Sequence, residues 1–184
     1  MIQYKSISED NMKKVILATL ISGVMSASAL AANSGSGEVT FTGSIISAPC
    51  SIAPGVENQE VELGQVSDVT LIAGGASSAQ PFSIKLEGCN LEGDNVVKVT
   101  FNGTEVVNGE TNTGMLQITG DASGAAVKIM SASGALVKVN SVYQQAFVKG
   151  DNELKFSAAL QGFKGATVVP GNFSAVTNFT LTYQ

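Results

Sequence analysis

The stretch Gly171-Asn-Phe-Ser-Ala-Val-Thr-Asn-Phe-Thr-Leu-Thr-Tyr-Gln184 decides the fold of this chain, because its side chains alternate in type from Phe173 onward. One face carries Phe173, Ala175, Thr177, Phe179, Leu181 and Tyr183, and the other carries mainly polar residues. A period of two, with aromatic and β-branched residues, is typical of a half-buried β-strand. Because the chain ends on this strand, we expect something else to cover the last sheet edge.

Upstream segments show the same strand-like alternation, punctuated by turn residues. These segments are Val39 to Ile45, Val61 and Leu63, Val69 to Leu71, Phe82 to Leu86, Val97 to Phe101, and Leu154 to Leu160. The run 122–129 is echoed by 132–139, which is typical of strands joined by a turn. Outside the N-terminal region no segment has convincing helical periodicity. Many short strands of this kind predict an all-β, antiparallel β-sandwich.

The first 31 residues have the pattern of a secretory signal peptide. Lys13 and Lys14 supply the positive charge, Val15 to Val24 is the apolar core, and Ala29-Leu30-Ala31 offers small residues for cleavage. The mature chain is therefore expected to begin at Ala32. The apolar run is shorter than the roughly 20 residues of a transmembrane helix, so a retained anchor is the less favoured alternative. Met12 is an alternative translation start.

Composition excludes several classes of function. Removing residues 1–31 leaves 153 residues, enough for one domain with a core, and a net charge of −6. The sequence has no arginine and its remaining lysines are scattered, so we expect no nucleic-acid binding. It also has no histidine, which excludes a Ser-His-Asp triad, and no phosphate-binding glycine loop. We therefore predict no enzymatic activity, no cofactor and no membrane insertion.

Cys50 and Cys89 are the only cysteines. In an exported chain an even cysteine number favours a disulfide. The alternatives are a metal site, which lacks histidine and a Cys-x-x-Cys spacing, and a reactive thiol, which lacks a histidine base. A structural bridge that closes a loop of about 40 residues would stabilise the fold by roughly 4 kcal/mol.

Three further segments, together with Gly171 and Tyr183, resemble landmarks of one family. They are the runs 37–52 (Gly-Glu-Val-Thr-Phe-Thr-Gly-Ser-Ile-Ile-Ser-Ala-Pro-Cys-Ser-Ile), 60–66 and 81–89. In this order, with this cysteine spacing, they resemble the pilin subunits of chaperone–usher, type 1-like fimbriae, most closely a major structural subunit. In that family a glycine 14 residues from the end and a penultimate tyrosine mark the strand that binds the periplasmic chaperone.

The resemblance implies an incomplete immunoglobulin-like β-sandwich that lacks its last strand and is completed in trans by a donor strand. Residues 32–47 would be the donor-strand extension and residues 48–184 the sandwich domain. The implied partners are a periplasmic pilus chaperone, an outer-membrane usher and neighbouring pilin subunits in a homopolymer. The implied location is a fimbria on the cell surface, reached through the periplasm, where the fibre supports cell adhesion.

The resemblance also assigns roles to individual residues. The donor strand would present Val39, Phe41, Gly43 and Ile45, with Gly43 at a point of close backbone approach. The chaperone and acceptor groove would use Gly171, Phe173, Phe179, Leu181 and Tyr183. Simpler readings are an ordinary first strand for residues 38–46, core packing for the aromatic residues and a Pro170-Gly171 turn. The alternative function is a self-complete secreted β-sandwich that binds a small ligand or carbohydrate.

Overall fold

The structure is a computed structural model that describes residues 36–90, 95–108 and 111–184. The chain divides into two compact units, residues 1–43 and residues 44–184. The predicted signal peptide lies outside the described residues. Every strand found in the described ranges belongs to the second unit.

The second unit is built almost entirely from short strands. In chain order the elements are β1 Ser51–Ile52, α1 Asp68–Leu71, a 3₁₀ turn Ile72–Gly74, β2 Gln80–Cys89, β3 Val96–Asn102, β4 Glu105–Asn108, β5 Thr111–Gln117, β6 Thr119–Gly120, β7 Ala125–Ser131, β8 Leu136–Val137, β9 Val142–Ala146, β10 Gly150–Gly162, β11 Phe173–Ser174 and β12 Asn178–Tyr183. The strands predicted around Phe82, Val97 and Leu154 are confirmed as β2, β3 and β10.

All strand pairings are antiparallel and give three sheets. The largest runs in the order β1-β2-β10-β7-β5-β4, and β8 pairs with β7 at its side. A second sheet has the order β12-β3-β9, and a third joins β11 to β6. The β7–β8 hairpin coincides with the internal echo, so the predicted pair of strands joined by a turn is confirmed.

Aromatic rings hold the two larger sheets face to face. Phe101 of β3 packs edge-on against Phe156 of β10, with ring centroids 5.1 Å apart, and Phe82 of β2 stacks on Phe156 at 5.6 Å. Alternate residues of β2, β3 and β10 point into the same core and are almost completely buried; they include Ile84, Leu86, Val97, Val99 and Leu154. The predicted β-sandwich is confirmed, because the inward faces of two sheets form one apolar core.

The predicted disulfide is confirmed. Cys50 lies directly before β1 and Cys89 ends β2; both are buried, with Cα atoms 4.2 Å apart. The backbone N–H of Asn90 donates to the carbonyl oxygen of Pro49 beside the bridge. The bridge therefore ties the start of the sandwich to the end of a central strand.

The strand predicted at Val69 to Leu71 is wrong, because these residues form helix α1 with Asp68. The Asp68 carboxylate accepts a hydrogen bond from the Val69 N–H at 2.8 Å, which satisfies a free donor of the first turn. Only Leu71 is buried, while Val69 is 72% exposed. Three consecutive strand-prone residues do not form a strand here, because only Leu71 faces the core.

Two other predicted strands do not form within the described residues. Val61 and Leu63 lie in a stretch, residues 53–67, to which no strand is assigned. Residues 36–47, which include the alternating segment from Val39 to Ile45, likewise contain no strand. In both places the side-chain alternation is present without a partner strand, and alternation by itself does not create a ladder.

Candidate assembly site

The C-terminal stretch forms two strands instead of the single strand predicted from sequence. β11 pairs with β6 through Phe173 and Gly120, whereas β12 pairs with β3 from Asn178 opposite Asn102 to Tyr183 opposite Val97. Residues 175–177 join them where the chain passes from one sheet to another, which interrupts the ladder. The alternation itself persists across the break, because the inward residues Phe173, Ala175, Thr177, Phe179, Leu181 and Tyr183 are all half-buried and the intervening residues are exposed.

The backbone of β12 presents an open edge. Val96 and Gln184 exchange two hydrogen bonds, N–H to carbonyl, at 3.3 and 3.0 Å. In an antiparallel ladder such exchanging pairs alternate with non-exchanging ones, so Phe179, Leu181 and Tyr183 direct their N–H and C=O groups away from β3. No strand among the described residues pairs with that side of β12. The same three residues thus offer half-buried apolar side chains and free backbone groups.

An apolar cavity of about 250 Å³ adjoins Phe173. Val66 and Leu71 lie on its lining together with Val168 and Phe173, and the buried residues Ile118, Ala125 and Leu160 also line it. These neighbours of Phe173 are not predicted by the sequence alone. They come from two loops, a one-turn helix, the strands β7 and β10, and the junction between β5 and β6, so no local pattern marks them.

The stretch that precedes α1 also carries unpartnered alternation. Val61 and Leu63 are half-buried and pack against the core, whereas Glu60, Glu62 and Gly64 beside them are exposed. Among the described residues this stretch belongs to no ladder. Glu60 and Glu62 lie on the outer, solvent-exposed side of this segment.

Gly171 lies where two backbone segments come close together. A Cβ atom at this position would lie 2.8 Å from the Ala122 nitrogen and from the carbonyl carbon of Asp121, closer than real Cβ atoms approach other groups. The neighbouring Asn172 carbonyl accepts hydrogen bonds from the N–H groups of Asp121 and Ala122, at 2.9 and 3.1 Å. This gives a structural reason for a glycine here, and its contact with a chaperone stays a prediction.

Tyr183 anchors the end of β12 to the core. Its ring meets the buried Phe147 ring edge-on, with centroids 5.8 Å apart. Burial raises the pKa of the Tyr183 phenol above its ordinary value, because the phenolate would lose hydration. The tyrosine is therefore neutral at physiological pH, and its role in a groove stays a prediction.

The predicted donor residues are exposed. Phe41 is 90% exposed and Val39 is 73% exposed, and Ile45 is likewise fully accessible. A Cβ atom added at Gly43 would meet no other atom within 4 Å. The donor role of these four residues stays a prediction.

Two other kinds of feature, a metal-binding cluster and a membrane-spanning helix, are absent from the described residues. Within ranges 36–90, 95–108 and 111–184, no three His, Cys, Asp or Glu side chains are placed to hold a metal ion. No helix in those ranges is long and apolar enough to cross a membrane. The notable feature of the surface is thus the open edge of β12 with its half-buried side chains, which can pair with another strand.

Comparisons with known proteins agree on one family. The sequence profile described as "Fimbrial protein" matches residues 39–184. The chain is 45% identical over 175 residues to the Fimbria A protein of Serratia marcescens, covering 94% of this chain and 99% of that protein. It is 46% identical over 162 residues to the Major MR/P fimbria protein of Proteus mirabilis, covering 88% of this chain and 91% of that protein.

Solved structures show the same likeness in three dimensions. The P pilus rod subunit PapA superposes with a TM-score of 0.65 at 33% identity, covering 74% of this chain and all of that one. A subunit from the structure of a chaperone–usher pilus, solved to explain rod uncoiling, superposes with a TM-score of 0.72 at 35% identity. That match covers 82% of this chain and 96% of the other.

Proposed function

We propose that this chain, which belongs to the fimbrial protein family, polymerises by donor-strand exchange. It is a structural subunit of a chaperone–usher fimbria at the cell surface. In this mechanism residues 32–47 of one subunit fill the groove of the next, with the open edge of β12 as the template. The observation that carries the proposal is that Phe179, Leu181 and Tyr183 combine half-buried side chains with backbone groups directed away from β3.

The chemistry of the two parts is complementary. The donor segment carries Val39, Phe41 and Ile45 with their apolar surface exposed, and burying this surface against the groove removes it from water. Backbone pairing along β12 supplies affinity that does not depend on side chains, and the alternate side chains supply register and specificity. Contacts of this head-to-tail type do not close into a ring, so they extend into a filament.

The same groove explains the need for a chaperone and an usher. An isolated subunit would expose a free sheet edge beside apolar side chains, which is a template for aggregation. We infer that a periplasmic chaperone lends a strand to β12 until an outer-membrane usher exchanges it for the extension of the next subunit. The relatives named above are fimbrial subunits, and we propose a structural role without enzymatic activity for this chain as well.

Substitution of Gly43 tests the donor assignment. We expect Gly43→Leu to block polymerisation and to leave chaperone binding intact, because the leucine would clash where the donor backbone lies against the groove. Polymerisation is measured by electron microscopy and by the ladder of heat-stable oligomers on a gel.

Ser44→Leu is the matched control, since residue 44 lies on the opposite face of the donor segment and its side chain would point away from the groove. Normal fibres from Gly43→Leu, or equal loss of fibres in both variants, would contradict the proposed donor register.

A further inference from the structure

The Asn102-Gly103 dipeptide at the end of β3 is chemically vulnerable. When glycine follows asparagine, little steric hindrance prevents the glycine nitrogen from attacking the asparagine side-chain carbonyl carbon. That attack forms a C–N bond, expels the side-chain nitrogen as ammonia and closes a succinimide ring. Water then opens either imide bond, leaving aspartate or iso-aspartate, and iso-aspartate adds one methylene group to the main chain.

The structure holds the attacking nitrogen away from this reaction. The Gly103 N–H donates to Asn140 Oδ1 at 3.1 Å, and Asn140 Nδ2 donates to the Gly103 carbonyl at 2.9 Å. Asn140 is itself fixed, because its backbone N–H donates to the Phe101 carbonyl at 2.8 Å. Its backbone has a φ of +56°, a conformation that asparagine and glycine adopt more easily than other residues. A side chain 37 residues further along the chain thus brackets both sides of Gly103.

The Asn102 side chain, whose carbonyl carbon the glycine nitrogen would attack, is restrained as well. Asn102 Nδ2 donates to the Thr180 hydroxyl oxygen at 3.2 Å and lies 3.4 Å from the Asn178 carbonyl oxygen, so the amide is drawn across to β12. The Thr177 hydroxyl donates to the Asn102 carbonyl at 3.1 Å. Ring closure requires the Asn102 side-chain amide to leave Thr180 and the Asn178 carbonyl at the same time as the Gly103 N–H leaves Asn140. All of these groups are exposed, so water can enter for the hydrolytic step.

We propose that Asn102-Gly103 is a latent site of spontaneous deamidation and that Asn140 is the positioning residue that keeps it unreacted. Reaction at Asn102 would place a new carboxylate, and in the iso-aspartate product also a lengthened backbone, at the residue opposite Asn178, where the pairing of β12 with β3 begins. A subunit in an extracellular fibre cannot be replaced by new synthesis, so protection of Asn102 from deamidation preserves the pairing of β12 with β3. The protection itself does not depend on donor-strand exchange.

Mass spectrometry of the full chain tests the proposal directly. The wild-type protein and Asn140→Gly are incubated in mildly alkaline buffer at physiological temperature, and deamidation at Asn102 is followed by peptide mapping. Glycine keeps the positive φ available and removes both side-chain hydrogen bonds. We expect the rate at Asn102 to rise roughly thirty-fold, the combined effect of two lost hydrogen bonds. Wild-type protein unfolded in guanidinium should reach a rate at least as high.

Two further variants and an internal reference distinguish a local effect of Asn140 on Asn102-Gly103 from a general loosening of the fold. Asn140→Asp keeps an acceptor for the Gly103 N–H but loses the donor to the Gly103 carbonyl, so its rate at Asn102 should lie between those of the wild type and Asn140→Gly. Thr180→Val removes one partner of Asn102 and should raise the rate roughly fivefold. Asn108, followed by Gly109, reports general reactivity in the same digest. An unchanged rate at Asn102 in Asn140→Gly, or equal acceleration at Asn102 and Asn108, would overturn the proposal.

Discussion

Gly171 and Tyr183 belong to one sequence signature, but different contacts explain the residue type at each position. Gly171 is required where the 170–172 segment touches the backbone of Asp121 and Ala122, so its lack of a side chain is what matters. Tyr183 instead contributes a ring that packs on Phe147. The resemblance to pilin subunits singled out both positions, but it could not reveal the structural reason for either. The contacts that explain them come from residues 36 to 50 positions away in the chain.

The buried phenol of Tyr183 predicts how stability depends on pH. Its pKa is raised above the ordinary value of 10.0 by burial, so the folded state holds the proton more tightly than the unfolded chain. The resulting stability is complete below the unfolded pKa and is lost as the pH rises through the raised folded pKa. We expect the free energy of unfolding to fall more steeply above pH 10 in the wild-type chain than in Tyr183→Phe.

Urea unfolding of the two proteins from about pH 9 to about pH 11 measures this difference. Other titrating groups are common to both proteins and cancel in the comparison. Parallel curves across the range would show that burial of the phenol does not influence stability.

At the scale of elements, alternation predicted buried faces well and strand pairing less well. The alternating burial of residues 173–184 is as predicted, yet the stretch is divided because β11 and β12 pair with strands of different sheets. Val69 to Leu71 became a helix because only Leu71 needs burial and Asp68 supports the first turn. Val61 and Leu63 alternate without a partner. Pairing depends on distant segments, which a local pattern does not contain.

The open edge of β12 can be tested one amide at a time. Replacing the backbone amide of Leu181 by an ester removes an N–H that faces away from β3. We expect the free subunit to keep its stability and its affinity for a donor peptide to fall roughly fivefold, the effect of one hydrogen bond. The peptide comprises residues 32–47, and calorimetry measures its affinity.

The same ester at Thr182 is the matched control, because that N–H points toward β3 and supports the subunit's own ladder. It should lower the stability of the subunit before any peptide is added. If the two esters behaved alike, the orientation assigned to the edge would be wrong.

At the scale of the whole molecule, the sandwich is held by one apolar core and one covalent bridge. The Cys50–Cys89 bond joins the beginning of the domain to the end of β2 across 39 positions of sequence. The cysteine count and the export signal were sufficient to predict this bond. The groove was predicted from family resemblance, and its neighbouring cavity at Phe173 required the folded structure, because five separate segments line it.

Removal of the bridge should reduce the stability of the domain strongly. We expect Cys50→Ser with Cys89→Ser to lower the free energy of unfolding by about 4 kcal/mol, since the unfolded chain gains the freedom of a long loop. Urea unfolding measures the loss, and the wild-type chain treated with reductant under denaturing conditions should match the double variant. An unchanged midpoint would mean that the core alone sets the stability.

Donor-strand exchange requires that the sandwich of one subunit is incomplete and that residues 32–47 of a neighbouring subunit supply its missing strand. The most direct measurement is the thermal melting of residues 48–184 with and without a synthetic peptide of residues 32–47, and with the same peptide carrying Gly43→Leu as control. We expect a large and essentially irreversible rise in melting temperature with the native peptide and little rise with the control. A domain that is already stable and indifferent to the peptide would contradict the claim and favour a self-complete, ligand-binding sandwich.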